Sequence, residues 1–186
     1  MLPDSLTMPA RIELFYPELM VYGASLQGSA LGGVLSLEGG YYDSTGDRKG
    51  TNPFIPNSET KLLLGYQRQL IEDFIAGVQY NAAYMHDYTD YLNNLTAGFP
   101  REPGLKELIS LRLTYFLMHE NMRLSWFTFW SPSDKDYLSN PEVRYNFTDH
   151  VFAAMGLNLF GGGKETTQFG SLDKNDNIYL QARYEL

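Results

Sequence analysis

The chain has 186 residues, a formal net charge of −8 at pH 7 and no cysteine. That length suits about one domain. The acidic balance argues against nucleic acid as a partner, and the missing thiols exclude disulfide scaffolds, thiolate metal sites and thiol catalysis.

Nine segments alternate in polarity with period two, which places successive side chains on opposite faces of a strand. Residues 1–10 read as a loop or disordered lead into one β domain over 1–186. Met20, Tyr22, Ala24 and Leu26 predict the first strand, which could start at Ile12. A variant splits it at Pro17, but that leaves only a few residues for the connection and shortens the first strand below the ~9–11 residues needed to span a bilayer. The second strand sets Leu31, Leu35, Leu37 and Tyr41 against Ser36 and Glu38; the third sets Leu62, Leu64 and Tyr66 against Lys61, Gly65 and Gln67. The fourth carries Phe74, Ala76, Val78, Tyr80, Ala82 and Tyr84 against Gln79 and Asn81. In the fifth, Ile109, Leu111, Leu113, Tyr115 and Leu117 oppose Ser110, Arg112 and Thr114. The sixth sets Leu124, Trp126 and Trp130 against Arg123 and Ser125, with Phe127 and Phe129 interrupting the polar side. The seventh sets Val143, Tyr145 and Phe147 against Glu142, Arg144 and Asn146. The eighth sets Val151, Ala153, Met155, Leu157 and Leu159 against Gly156 and Asn158.

Between them, short connections are predicted at 28–30, 70–73, 119–121 and 148–150. Long ones rich in Gly, Pro, Asn and Asp run through 43–60, 87–104, 131–140 and 161–177. Short and long alternate, as they do in outer-membrane barrels with tight periplasmic turns and long external loops. A soluble antiparallel barrel or sandwich is the alternative, and it gives no reason for that alternation. Mean hydropathy is −0.30, which a transmembrane barrel tolerates because only alternate residues meet lipid. The 14 Tyr and 11 Phe favour strands and could form interfacial girdles.

The ninth segment alternates to the end: Ile178, Leu180, Ala182, Tyr184 and Leu186 on one face, Tyr179, Gln181, Arg183 and Glu185 on the other. This ending resembles the C-terminal recognition strand of Gram-negative outer-membrane porins, with Leu186 where the family usually has Phe. The resemblance implies a bacterial outer-membrane location, the lipid bilayer and the barrel-assembly machinery as partners, and passive permeation of small solutes or ions. The fold expected is an all-β, antiparallel up-and-down transmembrane β-barrel.

Nine is odd, whereas single-chain bacterial barrels have even strand numbers. Met1–Ser5 also lacks the basic and apolar regions of a signal peptide. The expectation is therefore the C-terminal part of a larger even-stranded barrel, completed by additional strands or subunits.

Residues facing away from the apolar sides are the candidate pore lining: Glu38, Lys61, Gln79, Arg112, Arg123, Glu142, Arg144, Gln181, Arg183 and Glu185. A row of guanidiniums, charged at any working pH, could bias permeation. The second functional reading is a structural or recognition barrel with a filled interior and partner-binding loops. No catalytic, cofactor or metal site is expected. His119 and His150 are ordinary turn residues, and no nucleophile elbow or spaced carboxylate pair accompanies them. Asp173-Lys174-Asn175-Asp176-Asn177 lacks the glycine and the glutamate of a calcium loop. Gly161-Gly162-Gly163 reads as the start of a loop.

Overall fold

Among the described residues nine strands form in chain order: β1 (Leu19–Ala30), β2 (Gly33–Ser44), β3 (Glu59–Ile71), β4 (Phe74–Met85), β5 (Leu105–Leu117), β6 (Met122–Ser131), β7 (Asp136–Asn146), β8 (Val151–Gly162) and β9 (Asn177–Tyr184). The computed structural model describes residues 15–184. All nine belong to one antiparallel up-and-down sheet in sequence order, with β1 and β9 at its edges and no pairing between them among the described residues. The described part of β9 and all of β1 run the same way, from the end of the sheet that carries the long connections toward the end that carries the tight turns.

The registers bring every predicted apolar face to one side of the sheet. Leu26 stands opposite Leu37, Leu37 opposite Leu64, and Leu64 opposite Tyr80. Tyr80 faces Ile109, Leu113 faces Trp126, Leu124 faces Val143, Val143 faces Met155, and Met155 faces Leu180. A slip of one residue at any pair would have sent a whole strand's set to the other side. This apolar side is the open one: Leu26 is 72% exposed and Leu180 80%. The other side is inward. Phe152, Met85 and Ser110 lie there at 5–6% exposure, and Asp136 is fully buried. The sheet thus curls with its polar face inside, the reverse of a soluble sandwich core.

The outer face is also sorted by height. Toward the long-connection end stand Tyr22 opposite Tyr41, and Trp130 opposite Tyr137, with Tyr84 level with them. Toward the tight-turn end, Phe74 meets Tyr115 edge-on at 5.9 Å, Tyr145 meets Phe147 at 5.0 Å, and Tyr184 stands opposite Val151. Leu26, Leu37, Leu64, Val78, Leu113, Met155 and Leu180 lie between, interrupted by Tyr80 and Trp126.

Several boundaries differ from the sequence expectation. Gly28-Ser29-Ala30 belong to β1, and the first turn is 31–32, where Leu31 and Gly32 both take positive φ (51° and 75°). That is the geometry whose twist suits a two-residue hairpin, although leucine is a poor residue for it. The β3–β4 turn is 72–73, preceded by an irregularity between Gln69 and Ile71. The expected long connection at 131–140 is a tight one at 132–135, because β7 starts at Asp136 rather than near Glu142. Gly161 and Gly162 are strand residues of β8, not loop. A short helix, α1 (Tyr88–Asn94), occupies part of the 86–104 connection. Ile12, Leu14, Glu185 and Leu186 lie outside the described residues.

β7 persists through a turn-like sequence because its register with β6 runs unbroken past Asn140 and Pro141. The partner position of Pro141 on β8 is Leu157, and the β7–β8 pairing lapses at 140 and 141, where proline has no N–H to give. The Asn140 side chain fills the gap: its Nδ2 donates to the Leu157 carbonyl at 2.8 Å.

Candidate functional site

Two cavities line the inner face. The larger, about 600 Å³, is bounded by residues of β1 to β5, among them Glu38, Lys61 and Asn81, and by Asp134, Asp136 and Gln168. The second, about 380 Å³, lies toward the tight-turn end between β1 and β6 and includes Gln79, Ser110 and Arg112.

The expected inward residues within 15–184 all fall on this face, but not as one free row. Arg123 Nη2 lies 3.0 Å from Glu142 Oε1 on the adjacent strand. Glu142 Oε2 also accepts from the Tyr179 hydroxyl at 2.8 Å, two strands away. Gly156 makes this reach possible: a Cβ there would stand 2.4 Å from the Tyr179 ring, so only glycine lets the phenol lie flat across β8. Arg144 sits 3.6 Å over the Phe152 ring and donates to Asn146 Oδ1 at 3.0 Å. Arg112 lies 5.0 Å over the Phe127 ring. Lys61 pairs with Glu59 at 3.1 Å and lies over Tyr42. Gln79 accepts from Ser110 at 3.4 Å. Glu38 lines the larger cavity. Gln181 stands opposite Ala154, and Arg183 opposite Phe152. Ile178, Leu180, Ala182 and Tyr184 are on the outer face, so the terminal strand divides as its alternation predicts.

Three features had no sequence signal. Asn140, Asn158 and Asn177 stand in one cross-strand row, and Nδ2 of each of the first two donates to Oδ1 of the next at 2.9 Å. Asp136 Oδ2 accepts the backbone N–H groups of Phe169 at 2.8 Å and Gly170 at 3.3 Å, while its Oδ1 is buried without a partner. Phe169 in turn stacks on Phe129 at 5.8 Å, with Phe127 edge-on to Phe129 at 4.6 Å. The connection 163–176 therefore folds inward over the sheet instead of projecting away. Asp176 is used locally, accepting the Phe160 N–H at 2.7 Å.

On the 45–58 connection, the Arg48 guanidinium donates to Asp43 at 2.9 Å, which holds it above its ordinary pKa. His86 accepts or donates a 2.8 Å bond with Thr60 Oγ1 and lies edge-on between the Tyr41 and Tyr84 rings. Among the described residues no group of three or more His, Asp or Glu could hold a metal ion. What the inner face offers chemically is charged and hydrogen-bonding side chains around the two cavities. Comparisons of the chain with protein-family models, with curated proteins and with solved structures find no match.

Proposed function

We propose that this sheet is the wall, or part of the wall, of a porin-like outer-membrane β-barrel that admits small solutes or ions passively. The observation that carries the reading is the outer face: an aliphatic band on nine strands, bordered by aromatic side chains at both ends. Leaving one such side chain in water forgoes about 1.5–3 kcal/mol, so a face this extensive needs a non-aqueous cover. A hydrocarbon band between aromatic girdles is the pattern of a bilayer-spanning barrel. In that setting unpaired strand edges are costly as well, which calls for further strands beside β1 and β9.

A filled, recognition-type barrel is the second reading, favoured by the inturned Phe169 and its stack with Phe129. Both readings are tested by fractionating cells that produce the protein, then recording the purified full chain in planar bilayers. Outer-membrane partition with stepwise conductance is expected. Partition without conductance favours the filled barrel, and a monodisperse protein in detergent-free buffer overturns both.

A further inference from the structure

We infer that Arg112 and the cavity beside it form a binding site for small monocarboxylates. The inference rests on the porin-like reading only for how a solute reaches the site. Directly across from Arg112 on its two sides stand Gly77 and Phe127, neither of which can neutralise it. The diagonal positions on the inner face bring Gln79, Ser125 and Phe129, again without a carboxylate. The guanidinium is held over the Phe127 ring at 5.0 Å and, among the described residues, makes no hydrogen bond or ion pair. Arg123 differs in this respect, since its charge is matched by Glu142 at 3.0 Å.

An exposed guanidinium presents a planar fork of N–H donors that fits a carboxylate through two parallel bonds. The space for such a ligand exists. The cavity of about 380 Å³ is lined by Gln27, Ser36, Gln67, Gln79, Ser110 and Arg112. Gly77 keeps the floor low beside the guanidinium, where even a Cβ would touch nothing closer than the Gln67 side chain at 3.6 Å. Neutral amides and hydroxyls around one cation suit a single negative charge better than a phosphate dianion. Phe127 and Phe129 on the same lining suit an apolar or aromatic body attached to it.

The test is calorimetric titration of the full chain in detergent micelles with benzoate, and with benzamide as a neutral analogue of the same shape. Benzoate is expected to bind at least about tenfold more tightly than benzamide, and Arg112→Gln to remove that difference. Arg112→Lys, which keeps the charge but loses the fork, is expected to fall between. It also guards against a variant that has simply misfolded. Equal binding of benzoate and benzamide, or a preference unchanged in Arg112→Gln, overturns the site. Displacement of benzoate by equimolar inorganic phosphate overturns its carboxylate specificity. None of these readouts depends on conduction. A protein that conducts but fails them loses this inference alone, and one that passes them without conducting loses the channel alone.

Discussion

Arg123 and Arg144 stand directly opposite each other across β6 and β7, and their guanidiniums take different partners. Arg123 turns to Glu142 at 3.0 Å, while Arg144 lies on the Phe152 ring at 3.6 Å. Like charges at directly paired positions destabilise a sheet. Here one is neutralised and the other is placed on the negative face of an aromatic ring. The arrangement makes Glu142 the residue on which the pair depends.

Glu142→Gln should therefore cost about 1–3 kcal/mol, more than an exposed ion pair, because Glu142 is mostly covered and also accepts from Tyr179. Adding Arg144→Ala should recover part of the loss by relieving the repulsion. Denaturant midpoints of the single and double variants in lipid or detergent give the coupling. Strict additivity would mean that the two arginines do not sense each other.

Substitution of the outer face should reveal its solvent. Leu113→Arg or Leu157→Arg is expected to destabilise by about 2–4 kcal/mol if the site lies near a bilayer midplane. Gln27→Arg, on the exposed inner side of β1, should cost far less. Refolding into vesicles under a denaturant series measures both, and equal costs would mean that the apolar face does not meet lipid.

Asp136 should govern the position of the 163–176 connection. Asp136→Ala leaves the Phe169 and Gly170 amides without their acceptor, at a cost of about 1–3 kcal/mol. Hydrogen exchange at these two amides should accelerate strongly while the β3–β4 ladder is unchanged. Unaltered protection at Phe169 would show that its stacking on Phe129 suffices.

Permeation, if it occurs, should follow the arginines that lack an acidic partner. Arg112→Ala together with Arg144→Ala is expected to shift the reversal potential toward cations under a salt gradient. Arg123→Ala alone exposes Glu142 and should move it the same way. The shift should shrink as salt rises, with a Debye length of ~10 Å at 0.1 M. Reversal potentials that ignore all three substitutions would remove these residues from the path.

The two faces of the sheet were legible because a period of two is a local property: each strand states its own alternation, and the registers only align them. β7 was harder. Pro141 falls on its outer face and Leu138 on its inner one, so the alternation is blurred where Asn140-Pro141 also resembles a turn. The first residues of the strand, from Asp136, therefore carry a loop-like signature. The inward fold of Phe169, the asparagine row and the Tyr179–Glu142 bond join residues far apart in sequence, and no local pattern encodes which of them meet. The inner charges were identifiable, but their pairing depends on registers that alternation alone leaves open.

Every ladder joins consecutive strands, and this bears on how the protein acquires its shape. Each pairing closes only the connection between its own two strands. By loop-closure entropy, the step through 86–104 costs on the order of 2 kcal/mol more than one through a two-residue turn. The hairpins β1–β2 and β3–β4 are therefore the cheapest to nucleate, and the sheet can grow by adding neighbours without waiting for distant chain. Slow kinetics in all-β proteins come from non-local pairing. Among the described residues no ladder joins strands that are not consecutive, so this sheet assembles without such a step.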